Sequence, residues 1–132
     1  MNKAIIIAII LIVLAGFLFW GFQTGSLAKI FHGSAGQVVI PEGIILFYGE
    51  GCPHCKIVDD FIADNKIEDK VNFSRLEVWY NEENQSIIAQ VAQKCGINSG
   101  EVGVPFLYDG VSKCYVGDVD TINFFKAQAG IK

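Results

Sequence analysis

The sequence predicts an α/β domain, a four-stranded mixed sheet with helices on both faces, preceded by one apolar N-terminal helix. Three observations predict it. A continuous apolar run, Ile44-Ile45-Leu46-Phe47-Tyr48, leads into Cys52-Pro53-His54-Cys55 and an amphipathic stretch, so a strand gives way to a helix at a pair of thiols. The remaining pattern completes the order β-α-β-α-β-β-α, one parallel βαβ unit followed by an antiparallel hairpin and a last helix. Ahead of these elements, no residue from Ala4 to Ala28 is charged.

Ala4 to Phe22 is almost purely apolar, and nineteen helical residues span about 28 Å, close to the hydrocarbon thickness of a bilayer. Trp20 and Phe22 fall where an aromatic belt would sit. Residues 1–22 therefore read as a transmembrane signal-anchor. Ser26-Leu27-Ala28 offers small residues for a signal peptidase, so a cleaved signal peptide is the rival, but the apolar run exceeds a usual signal core. Lys3 and the terminal amine bias the N-terminus towards the cytoplasm and the domain outwards, to the periplasm or cell exterior. Residues 23–42, rich in Gly and Ser and ending near Pro41, read as a flexible linker. His32 lies within it as a solvated side chain, and residues 37–40 are open between linker and a short edge strand.

The folded unit is expected over 43–132. Ile44–Tyr48 suits a central strand covered on both faces. A helix over 53–65 follows, with Ile57, Val58, Phe61 and Ile62 on its apolar side. Residues 71–79 have strand spacing, and Asn81-Glu82-Glu83 opens a second helix. That helix carries an inward stripe of Ile87, Ile88, Val91, Ala92 and Cys95 and stops at Gly96. Strands over 105–108 and 113–116 meet through an Asp109-Gly110 turn, with Cys114 and Val116 on the inward face. A last helix over 119–128 buries Ile122 and Phe125.

The chemistry centres on Cys52 and Cys55. A strand ending just before Cys52 delivers its sulfur to a helix N-terminus, where unpaired N–H groups favour the thiolate that performs disulfide exchange. Pro53 takes the first helical position, where its missing N–H costs nothing, and His54 adds a donor and, when protonated, a positive charge. A CxxC is also half a zinc site, and with His54 it is a soft ligand set for Cu(I) or Zn(II), so a metal chaperone is the non-enzymatic alternative. Beyond residue 28 the chain keeps nine basic and fourteen acidic side chains, net −5, with no Lys/Arg cluster, which argues against nucleic acid as a partner.

The element order, the CxxC after the first strand and Gly103-Val104-Pro105 opening the third together resemble the thioredoxin superfamily. The resemblance implies a cis Val104–Pro105 bond beside the dithiol, where an extended substrate segment pairs with Val104 and places its sulfur over Cys52. Val104 and Pro105 are thus the implied substrate-binding residues; a trans proline at a strand edge is the alternative. The scaffold is similar to a minimal glutaredoxin, through Phe47-Tyr48 before the motif and Gly117-Asp118-Val119-Asp120 at the last helix. The Cys-Pro-His-Cys motif is similar to that of the DsbA disulfide oxidases, without their inserted helical domain. Glu50 makes a poor cradle for glutathione, Gly51 replaces the Trp of thioredoxins, and Leu46 replaces their buried acid. Proton removal from Cys55 then falls to water, Glu50 or the substrate.

Four cysteines in a small domain suit an oxidising compartment. Cys95 and Cys114 are open to three readings: a structural disulfide, two buried thiols, or a shuttle to Cys52 and Cys55. The expected function is a membrane-anchored, extracytoplasmic thiol–disulfide oxidoreductase, a disulfide donor more than a reductase, that needs no cofactor and binds no metal. Its expected partners are cysteine-containing protein substrates, the membrane through residues 4–22, and a membrane redox partner that resets the dithiol.

Overall fold

The computed structural model describes residues 2–23 and 38–132, which form two separate units. The proposed peptidase site at 26–28, His32 and most of the linker fall outside the described residues. The first unit is helix α1, Lys3–Gln23. Its described isoleucine, leucine and valine side chains, from Ile5 to Leu14, are all exposed. Among the described residues no helix is long and apolar enough to cross a membrane.

The second unit is a four-stranded mixed sheet with helices on both faces, an architecture that fits a thioredoxin-like fold. Its strands are β1 (Ile44–Tyr48), β2 (Phe73–Glu77), β3 (Phe106–Tyr108) and β4 (Cys114–Val116), ordered β2-β1-β3-β4. β1 runs parallel to β2 and antiparallel to β3, and β3 is antiparallel to β4. The helices are α2 (Pro53–Asp64), α3 (Glu82–Lys94) and α4 (Asp118–Ala129), with 3₁₀ turns at Ile67–Asp69 and Ser99–Glu101.

The continuous apolar run of β1 follows from its place in the middle of the sheet. Ile45 and Phe47 face α3, packing with Ile87, Ile88, Val91, Phe106 and Tyr108. Leu46 faces the other way, with Val58, Ile62, Leu107, Phe124 and Phe125 beneath α2 and α4. Each face is dry, and Phe47, Phe106 and Phe125 are fully buried. Burial of one such ring contributes roughly 1.5–3 kcal/mol, and the tilted pairs Phe47–Phe106 and Phe73–Phe125 fix how the rings interlock.

Several elements depart from the sequence expectation, each for a local reason. Val38 and Ile40 pack on the α3-side core without forming a strand, so the unit begins ahead of residue 43. Ile57 is exposed, because the buried stripe of α2 runs through Cys55, Val58 and Ile62. The β3–β4 connection is a five-residue loop: the Asp109 carboxylate accepts N–H bonds from Val111, Ser112 and Lys113 at 2.8, 2.8 and 3.0 Å. Gly110, at φ +84, closes against Gly43, whose backbone a Cβ there would meet at 2.6 Å. Val116 is exposed although it shares a strand face with half-buried Cys114. In α4 the sequence pattern missed Thr121 and Phe124, both buried, and Ile122 is only half-buried.

Cys95 is not on the stripe of α3 but at its C-cap, half-buried. There it is disulfide-bonded to Cys114, with Cα atoms 6.0 Å apart and a sequence separation of 19. The closed loop contains β3. By chain entropy such a bridge contributes roughly 3 kcal/mol, so Cys114→Ala should lower the unfolding free energy by about that amount in urea melts. An unchanged urea midpoint at an unchanged slope would show that the bridge does not stabilise the fold.

Candidate functional site

β1 ends at Tyr48, and the chain turns through Gly49, Glu50 and Gly51 into α2. Gly51 sits at φ +80, a backbone conformation that suits glycine, and Cys52 N–H bonds back to Gly49 O at 3.1 Å. This tight return makes Cys52 the N-cap of α2, with Pro53 next to it in the first turn. The cap acceptor is the Cys52 sulfur itself, which receives the Cys55 N–H at 3.2 Å. An N–H aimed at sulfur, at the positive end of a twelve-residue helix, stabilises negative charge there.

Both thiols are free and buried, Cys52 6% and Cys55 3% exposed. They part in environment. Burial pushes the Cys55 thiol up to about 12, reinforced by its hydrogen bond with Cys52 and by the charges of Cys52 and Asp59, against a lowering contact from the Gly49 backbone. Cys52 instead donates to Val104 O at 3.7 Å. The Val104–Pro105 bond is cis. The structure thus brings Cys52, Cys55, Pro53, Val104 and Pro105 to one end of the sheet, with Gly117 N–H on Pro105 O at 2.8 Å tying in the start of α4.

His54 stands apart. Its side chain is 68% exposed and its Nδ1 lies 3.4 Å from Asp118 Oδ2, and no hydrogen bond joins it to Cys52 among the described residues. Partial burial opposes charge on Asp118, but His54 and the backbone N–H groups of the first turn of α4 outweigh it and hold the carboxyl below its usual range. The Asp118 carboxylate is therefore engaged by His54.

Two clefts flank the thiols. One, of about 500 Å³, is lined by Tyr48, Glu50, Cys52, Cys55, Lys56 and Asp59, so Glu50 and Asp59 lie in the same cleft as the Cys55 thiol. Leu46 is buried in the core, as its apolar side chain requires. Lys56 is paired with Asp60 at 2.7 Å, and Arg75 with Asp59 while lying over the Tyr48 ring. The other cleft, about 410 Å³, runs beside Val104 between Trp79, Ile88, Ala89 and Val102.

Sequence reasoning missed Trp79 and Glu77. Trp79 is past the end of β2 and lies over Gly49, where any Cβ would strike the indole. The Glu77 carboxylate accepts N–H bonds from Trp79, Tyr80 and Glu50 at 2.8, 2.9 and 3.3 Å. A glycine opposite the end of a strand carrying a Trp was the available signal. Among the described residues no three His, Cys, Asp or Glu side chains converge as a metal-ligand set. The chain matches no protein-family model and no curated protein.

The raised Cys55 thiol gives a pH dependence with a definite sign. Its folded value exceeds the ordinary 9.0, so between about 9 and about 12 the unfolded chain loses a proton that the folded chain keeps. Stability of the reduced protein should be full below about 9 and fall as the pH rises through that window, and Cys55→Ala should flatten the fall. Iodoacetamide at neutral pH should label Cys52 and spare Cys55. Labelling of Cys55 first, read by peptide mass mapping, would contradict the difference in environment between the two sulfurs.

Proposed function

We propose that this chain is a thiol–disulfide oxidoreductase, anchored in the membrane by residues 4–22 with its redox domain extracytoplasmic, and that it donates disulfides through Cys52 and Cys55. The observation that carries the reading is the asymmetry of the two sulfurs. Cys52 caps a helix and its sulfur receives an N–H, while Cys55 lies one turn inside that helix and is held protonated.

In the donating direction a substrate thiolate attacks Cys52 Sγ of the Cys52–Cys55 disulfide. The S–S bond breaks, Cys55 departs as a thiolate and takes up a proton, and a mixed disulfide joins substrate to Cys52. A second substrate thiolate then attacks the substrate sulfur of that bond, and Cys52 leaves as a thiolate at the helix N-terminus. Two electrons pass to the protein, and a membrane redox partner removes them. The same stabilised thiolate favours the reduced pair and makes the disulfide oxidising. Val104 would hold the substrate segment, since its carbonyl already faces the Cys52 sulfur at 3.7 Å.

The membrane reading is supported by α1, whose described side chains from Ile5 to Leu14 are apolar and exposed and so require lipid or an apolar partner to cover them. The oxidising extracytoplasmic compartment is supported by the Cys95–Cys114 bridge.

With a reduced protein as substrate, Cys52→Ser should abolish exchange, and Cys55→Ser should accumulate mixed disulfides visible as a mass shift on non-reducing gels. Turnover by the Cys52→Ser variant would sink the mechanism. A midpoint potential above that of thioredoxin, about −270 mV, is expected of a donor, and a value at or below it reverses the direction. His54→Tyr should lower the potential by no more than about 30 mV, equivalent to about 1.4 kcal/mol, because an imidazole 68% exposed and paired with Asp118 is screened. A larger fall would mean that the imidazole charge outweighs the helix terminus.

A further inference from the structure

The Glu77 carboxylate joins two segments, one lining the cleft that holds the dithiol and the other lining the cleft beside Val104. One oxygen accepts N–H bonds from both Trp79 at 2.8 Å and Glu50 at 3.3 Å, and the other accepts from Tyr80 at 2.9 Å. Glu50 belongs to the turn that delivers Cys52 and lines the cleft shared with Cys55. Trp79 forms a wall of the cleft beside Val104. The two segments also touch directly, through the indole on Gly49. The Glu77–Trp79 segment is held in turn by the side chains of α3, Asn84 donating to Glu77 O at 2.8 Å and Gln85 to Trp79 O at 3.3 Å. A carboxylate accepting three backbone N–H groups across two chain segments fixes their separation, and no neutral side chain of that length offers as many acceptor sites.

We propose that Glu77 is a positioning residue of the dithiol site, holding the Cys52 turn and the Trp79 wall in one register so that an extended cysteine-containing segment lying in the Val104 cleft meets the sulfur in line. The proposal rests on the oxidoreductase reading above. Glu77 touches no reacting atom; it acts through the backbone of Glu50 and Trp79. Its effect is therefore larger for a substrate that fills the cleft than for a small disulfide that reaches only the sulfur.

The test uses the full chain in detergent, with amide hydrogen exchange and with kinetics on two probes, a cysteine-containing peptide disulfide of about eight residues and 2-hydroxyethyl disulfide. Glu77→Gln should lose exchange protection at Glu50, Trp79 and Tyr80. It should also lower the ratio of kcat/KM for the peptide to that for the small disulfide by about tenfold, the effect of about one charge-assisted hydrogen bond, mostly through KM. Trp79→Ala, a change at a half-exposed side chain, should lower the same ratio with Glu77 intact. Glu77→Asp, which keeps the charge, should recover part of the protection and of the ratio. Unchanged protection in Glu77→Gln overturns the clamp. Lost protection with an unchanged ratio, or an unchanged ratio in Trp79→Ala, overturns the positioning role. A wild-type protein inert towards both probes overturns the oxidoreductase reading and the positioning role with it, while the protection data still report on the clamp.

Discussion

Helix α2 needs an acceptor for its first N–H groups, and the chain supplies a sulfur where most helices supply a hydroxyl or carboxylate. Everything at the site depends on that substitution. Because Cys52 Sγ takes the Cys55 N–H, the two residues are locked one turn apart, with one sulfur at the helix end and the other inside it. The bond that starts the helix is also the bond that favours charge on the outer sulfur. Structure and reactivity are therefore one interaction. An oxygen placed at that position would cap the helix better and leave no chemistry.

The cap works only if the chain arrives at a fixed point, and β1 provides it. Its three central residues, buried between two helical layers, cannot shift register without moving Ile45 and Phe47 out of one core and Leu46 out of the other. The neighbouring strands are pinned to it in turn, β2 in parallel register from Ile44↔Phe73 to Tyr48↔Glu77 and β3 through Leu46↔Leu107. That places the β2 end and the Val104–Pro105 step on either side of Cys52. The Cys95–Cys114 bridge extends this outwards, by fastening the C-cap of α3 to the edge strand. The core is thus rigid where the nucleophile is delivered, and the exposed groups around it, His54, Trp79 and Lys56, are free to differ in role.

Much of this was legible in the sequence because it is written in local patterns. The apolar β1 run, the CxxC on a helix start, the Asn81 cap and the Gly96 stop each depend on a few adjacent residues. What was not legible depends on partners far along the chain. Ile57 carries the same hydrophobicity as Val58, and only the placement of α4 decides which of them is covered. Asp109 looks like half of a two-residue turn, yet its carboxylate organises three N–H groups into a wider loop. Val116 was expected to face inwards by alternation; it is exposed because it lies at the end of a three-residue edge strand. Glu77 reads as an ordinary strand charge until the chain brings Glu50 back beside it, 27 residues away in sequence.

His54 shows how magnitude decides between two sources of the same effect. By its place in the motif it ought to lend positive charge to Cys52. Its imidazole is mostly in water, where ions screen it, and its nearest partner is the Asp118 carboxylate, which offsets much of any charge it carries. The Cys55 N–H in the first turn of α2 is fixed, buried and in contact with the sulfur. Fixed dipoles at contact distance outweigh a screened and neutralised charge further off. The motif histidine is then better understood as a tether between α2 and α4, through its contact with Asp118. In that arrangement the Asp118 carboxylate is already occupied by His54, and the cleft beside Val104 stays open.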